Sequence, residues 1–171
     1  TFLVSLMAAN NEIGTVAPLQ EMVRVCHERG VLFHTDAAQI VGRAVFDVQR
    51  FPIDLASLSA HKIHGPKGIG ALYIRNQSNL NINPILFGGK QENGMRAGTL
   101  PTHQIIGFGE ACKIAKNNIA TDLEKAYQLR ELFFAEVGTL AKANVPQQQA
   151  SPYIFNIHFP QLTRETQKKL D

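Results

Sequence analysis

Hydrophobic positions fall in short runs broken by polar turns until about residue 100, after which the pattern lengthens and becomes helical. Phe2 to Met7 is an apolar run of strand length. It ends in Asn10-Asn11-Glu12-Ile13-Gly14, polar turn chemistry where an α/β protein keeps its functional loops. Pro18 opens a predicted helix in which Leu19, Met22, Val23 and Cys26 fall at i, i+3, i+4 and i+7, and Gly30 closes it. Val31 to His34 is the next short run, followed by a loop carrying Asp36. Strand, helix and strand at this spacing predict a βαβ unit, with parallel pairing and a right-handed crossover. Leu55 to Leu58 and Ala71 to Ile74 read as two more short strands, flanking a segment with one lysine between two histidines.

Gly88 to Thr99 is a glycine-rich loop. From His103 to about Gly138 the period is helical, with Ile105, Phe108, Cys112 and Ala115 on one face, long enough for one bent helix or two. Gln147-Gln148-Gln149 between Pro146 and Pro152 has a linker-like composition, and Tyr153, Phe155, Ile157 and Phe159 alternate as in a strand. A domain change is expected between about 118 and 152. That divides the chain into a large-domain portion at 1–118, a helical link at 119–150, and the start of a small domain at 151–171.

Composition narrows the class. The 171 residues, 44% hydrophobic and 18% charged, can bury a sizeable core. The net charge of +3 comes from scattered basic residues, Lys168-Lys169 being the only adjacent pair, so no nucleic-acid surface is expected. No apolar run reaches the length of a membrane span. Two distant cysteines, both on apolar helix faces, suggest buried thiols in a reducing, cytoplasmic setting. The opening Thr1-Phe2-Leu3 has neither an initiator Met nor a basic leader and reads as mid-strand, so a segment of a longer protein is expected.

The chemistry concentrates in Ser59-Ala60-His61-Lys62-Ile63-His64-Gly65-Pro66-Lys67-Gly68 and in His34-Thr35-Asp36-Ala37-Ala38-Gln39. A lysine and an aspartate at strand ends suit a Schiff-base lysine with a carboxylate holding the ring nitrogen of a pyridine cofactor. Hydroxyl, imidazole and backbone N–H groups beside Lys62 suit the phosphate of such a cofactor. Blander readings stand beside each: Lys62 as a solvated charge, Asp36 as a helix cap, Asn11 as a turn residue. His61 and His64 as metal ligands lack a third ligand at a suitable spacing, so no metal is expected. The Gly65–Gly70 turn lacks the G-K-[ST] ending of a nucleoside-triphosphate loop.

Taken in order, Ala9-Asn10-Asn11-Glu12-Ile13-Gly14, the Asp36 and Lys62 motifs and Arg96-Ala97-Gly98-Thr99 resemble the NifS/IscS-type cysteine desulfurases. These are pyridoxal 5′-phosphate enzymes of the class V aminotransferase group. The resemblance implies the α/β fold type I architecture: a truncated large domain with a mostly parallel sheet and flanking helices, then the start of a small α+β domain. It implies that Lys62 anchors the cofactor and shuttles the substrate proton, and that Asp36 pairs with the ring nitrogen. Gln39 and Asn11 would bond the phenolic oxygen, and Ser59 and His61 the phosphate. Thr99 would reach the phosphate of a second subunit, which implies a homodimer. L-cysteine would be the substrate, and scaffold or carrier proteins would receive its sulfur. Neither Cys26 nor Cys112 matches the family's sulfur-accepting cysteine, so the chain alone is expected to be inactive. Lys90 and Asn93 depart from the family's glycine-rich loop. A selenocysteine lyase, another class V enzyme, or a non-catalytic scaffold would fit the same residues.

Overall fold

The computed structural model describes residues 1–75, 80 and 82–167; the Lys168-Lys169 pair lies outside them. β1 (Leu3–Met7), α1 (Leu19–His27) and β2 (Leu32–Asp36) form the expected βαβ unit. β3 (Leu55–Ser59) and β4 (Gly70–Ile74) complete a four-stranded sheet in the order β1-β2-β3-β4. β1, β2 and β3 run parallel, whereas β4 returns antiparallel to β3, with Ser59 opposite Gly70. The sheet is therefore mixed, and the lysine segment is the turn of its one antiparallel pair.

β2 carries two residues further than its apolar run. Asp36 sits within the strand, opposite Met7 on one side and Ser57 on the other, because pairing on both edges holds it extended. Its side chains alternate between the two faces. Phe33 and Thr35 are fully buried against α1, where Val23, Ile53 and Ala56 join the core. His34 and Asp36 therefore project from the opposite face. In α1, Leu19, Val23 and Cys26 are buried, as their period predicts.

α2 (Thr102–Val137) is one unbroken helix of 36 residues and runs through the expected division at residue 118. Its first half packs on the lysine turn through Phe108 and Ala111, while Ile105, expected on the same face, is exposed. Contact is close because residue 107 is glycine: a Cβ there would lie 2.7 Å from Cγ of Pro66.

The C-terminal portion departs from expectation twice. The glutamine stretch is docked, not a free linker: Val145, Ala150, Ser151 and Pro152 are buried, and Val16 donates to the Gln149 carbonyl at 2.8 Å. Of the alternating run at 153–159, only β6 (Ile157–His158) is a strand, paired antiparallel with β5 (Lys142–Ala143). Tyr153 instead faces Arg43, and Phe155 packs against Phe133 and Phe134. Aromatic packing on other elements has taken the place of strand pairing there. A short helix α3 (Arg164–Gln167) follows.

Candidate functional site

The site is built where β1, β2 and β3 end together. Ser59 closes β3, and Ala60–Ile63 then make one 3₁₀ turn, which His64 leaves in the left-handed region at φ 64°. Residues three apart eclipse on such a turn. Ala60 and Ile63 share one side and are buried with Phe108 and Ala111, which leaves exposed His61 and half-buried Lys62 to other directions. Gly42 lies against the same turn at φ 72°, and a Cβ on it would fall 2.7 Å from Cγ2 of Ile63. Side-chain packing thus holds the backbone beneath Lys62. Among the described residues the Lys62 ammonium makes no ion pair, so its amine is uncommitted.

At the end of β2, Asp36 Oδ1 accepts the Ala38 N–H at 2.9 Å, which leaves Oδ2 for another donor. The turn that follows buries Gln39 and brings its Oε1 to Arg43, whose Nη1 donates at 3.1 Å. Arg43 Nη2 also lies 3.5 Å from the Lys62 carbonyl, so Gln39 and Lys62 belong to one constellation. Ser59 Oγ and His61 Nδ1 stand 3.0 Å apart.

Two residues before Asp36 on the same strand, His34 bridges the sheet. Its Nδ1 is 2.7 Å from Ser5 Oγ and its Nε2 2.8 Å from Ser57 Oγ. Burial pushes the His34 pKa below its ordinary value, against the opposing charge of Asp36. A neutral imidazole has one donor and one acceptor nitrogen, and serine hydroxyls can serve both.

Asn11 is exposed in the loop after β1. It is Asn10 that shapes this loop, its Oδ1 accepting the N–H groups of Glu12 and Ile13 at 2.9 Å. Thr99 is exposed just before α2, and among the described residues no hydrogen bond links it to Lys62, Asp36 or Ser59. In the glycine-rich loop Asn93 takes φ 56°, a conformation asparagine tolerates, so its departure from the family pattern suits the local backbone. Among the described residues no three His, Cys, Asp or Glu side chains cluster, so His61 and His64 gain no third metal ligand.

Two participants have no role in the motif reading, although His34 heads the Asp36 motif. Arg43 is four residues beyond Gln39, a spacing that puts both on one side of a helical turn. His34 is two before Asp36, on the same face of its strand. Both spacings are visible in the sequence, but neither residue type there is distinctive. A cleft of about 570 Å³ runs beside this constellation, lined by Arg43, Lys62, His64, Asp122, Lys125 and Tyr153 among others. A larger groove of about 1100 Å³, between α1 and residues 40–52, touches none of the candidate residues.

The family model for aminotransferase class-V matches residues 1–170. The chain belongs to the aminotransferase class-V family. It is 45% identical over 161 residues to "Cysteine desulfurase IscS" of Pseudomonas entomophila (strain L48), matching 93% of this chain and 40% of that relative. A solved "NifS-like protein" superposes with a TM-score of 0.88 at 37% identity, over 97% of this chain and 46% of the other. The structure described as "SspA in complex with cysteine" matches at a TM-score of 0.79 and 35% identity, over 99% of this chain and 46% of the other. The chain thus spans under half the length of these relatives.

Aminotransferase class-V enzymes use pyridoxal 5′-phosphate, and the donor set here fits that group. Asp36 keeps a carboxylate oxygen for a protonated ring nitrogen, and half-buried Ala38 beside it presents little bulk against a flat ring. Ser59 and His61 offer a hydroxyl and an imidazole side by side for a phosphate, and Lys62 offers a free primary amine.

Proposed function

We propose that these residues are the lysine-bearing part of a pyridoxal-phosphate-dependent cysteine desulfurase, with Lys62 as its catalytic residue. The observation that carries this reading is the convergence of Asp36, Gln39, Ser59 and an uncommitted Lys62 at the carboxyl ends of three parallel strands. The names of the relatives and the cysteine held by one structural neighbour support L-cysteine as the substrate. Pyridoxal phosphate, bound through Lys62, supplies an electron sink for the substrate's α-carbon.

The residues divide the remaining work. The Asp36 carboxylate keeps a proton on the ring nitrogen, which sustains the electron withdrawal. Gln39 and Asn11 bond the phenolic oxygen, and Ser59 and His61 hold the phosphate. The Lys62 amine moves the proton at the α-carbon. L-cysteine loses its sulfur atom and leaves as L-alanine, while an acceptor thiol gains that atom and becomes a persulfide. Cys26 is buried on the core-facing side of α1, and burial pushes the Cys112 thiol up, away from the reactive thiolate. The acceptor thiol is therefore placed outside these residues.

The same proposal takes Thr99 to the phosphate of a second subunit, making a homodimer. It places the protein in the cytoplasm, where the sulfur passes to carrier or scaffold proteins for iron–sulfur clusters or tRNA thiolation. It retains the division at 1–118, 119–150 and 151–171.

The test is the full-length protein supplied with pyridoxal phosphate, L-cysteine and a thiol. Equal amounts of alanine and sulfide are expected, with neither from Lys62→Ala. Turnover by Lys62→Ala, or preference for selenocysteine over cysteine, would overturn the assignment.

A further inference from the structure

Gln39 is asked to meet the phenolic oxygen of the cofactor, which carries negative charge and needs a donor. An amide offers a donor at one end and an acceptor at the other, so its direction decides whether it helps or repels. In this structure the direction is set from behind. A guanidinium has donors only, and Arg43 Nη1 takes Gln39 Oε1 at 3.1 Å. The Gln39 NH₂ is thereby turned away from Arg43, and burial of the residue, 9% exposed, limits rotation back. The second arm of the guanidinium reaches the Lys62 carbonyl at 3.5 Å. The ring of Tyr153 lies over the guanidinium at 5.6 Å and restrains the fork from the other side.

We propose that Arg43 is a positioning residue of the cofactor site: it fixes the polarity of the Gln39 amide and ties that amide to the backbone of the anchoring lysine. This rests on the desulfurase reading above and adds to it a group that need not touch the cofactor. The fork geometry is what matters, so lysine replaces it only in part.

The experiment uses the full-length protein and three readouts: affinity of the apoprotein for pyridoxal phosphate, the visible absorbance of the lysine-bound cofactor across pH, and the melting temperature of the apoprotein. Arg43→Met removes every donor. Loss of a charge-assisted bond predicts cofactor affinity weakened by about tenfold or more, with visible absorbance shifted toward the near-ultraviolet form. Arg43→Lys recovers part of both. Gln39→Glu, which presents only acceptors, reproduces the Arg43→Met spectrum, and the double variant is no worse than Gln39→Glu alone. A wild-type spectrum and affinity in folded Arg43→Met, or additive losses in the double variant, would overturn the inference. If Arg43→Met does not fold, Arg43→Lys decides: identity with wild type in spectrum and affinity overturns it, and an intermediate state sustains it. Wild-type protein that takes up no cofactor would instead overturn the desulfurase reading itself.

Discussion

Replacing Ile63 by alanine tests whether packing beneath the lysine turn sets the position of Lys62. Ile63 is 6% exposed and packs with Ala60, Phe108 and Ala111. The substitution removes three carbons, worth about 2.4 kcal/mol at roughly 0.8 kcal/mol each. The void left behind adds to that loss, and measured isoleucine-to-alanine changes in cores run from about 2 to 5 kcal/mol. Here the neighbours nearest the void include Ala60, Ala111, Ala115 and Gly42, too small to swing into it. Little collapse is possible, so about 3–4 kcal/mol is expected, against roughly 1 kcal/mol for Ile63→Val. For a chain of this size that is a drop of very roughly 6–16 °C in melting temperature. Thermal unfolding of the apoprotein gives the first number, and the rate of cofactor capture by Lys62, read from visible absorbance, gives the second. Ile63→Ala should slow capture while Ile63→Val barely changes it. Two results would refute the reasoning: a loss no larger than that of Ile63→Val, or a full loss of stability with cofactor capture unchanged.

Three further outcomes are expected. Asp54, 3% exposed at the sheet end opposite the site, accepts bonds from the Phe33 N–H and His27 at 2.8 Å and from Arg75 at 2.5 Å. Burial pushes its carboxyl up, but the bonds from His27, Phe33 and Arg75 and the His27 charge outweigh this and hold it below the usual range. Its stabilising contribution is therefore complete above the unfolded carboxyl's titration, near pH 4, and is lost as pH falls through the lower folded value. Asp54→Asn should cost about 2–3 kcal/mol at neutral pH, and melting curves of both proteins should converge on acidification; a gap independent of pH would refute the assignment. Gly42→Ala combines a left-handed φ with overlap on Ile63 and should cost about 2–4 kcal/mol in denaturant unfolding. His34→Ala, which removes the bridge between exposed Ser5 and half-buried Ser57, should cost about 1 kcal/mol and raise amide exchange in β1 and β3; unaltered exchange would show that the bridge does not hold these strands.

The βαβ unit was legible because its signals are local: a run, an amphipathic turn, a cap and another run. Lys62, Asp36 and Gln39 were legible as motif residues for the same reason, each lying beside distinctive turn chemistry. What could not be read was set by partners distant in sequence. β2 extends to Asp36 because Met7 and Ser57 pair with it, and neither lies near it in the chain. The 153–159 alternation, a sound strand signal in isolation, yielded to Arg43 and the Phe133–Phe134 pair. The glutamine stretch reads as a linker until Gly14 and Val16 dock on it, Ser151 donating to the Gly14 carbonyl at 2.7 Å.

That docking bears on the site as well as on the fold. Arg130, 4% exposed, rests against the rings of both Phe134 and Phe155 and donates to the Ser151 carbonyl at 3.0 Å. Ser151 in turn holds Gly14, whose N–H reaches the Asn10 carbonyl at 3.2 Å and so closes the loop that carries Asn11. On the other side Tyr153, two residues on, covers Arg43 and through it Gln39 and Lys62. Residues 151–153 therefore touch both flanks of the constellation without supplying any of the motif residues. A chain cut before residue 150 would keep every motif and lose both supports. Its Lys62 and Asp36 would remain in the sequence, while the loop of Asn11 would lose the Ser151 contact and the fork of Arg43 its aromatic cover.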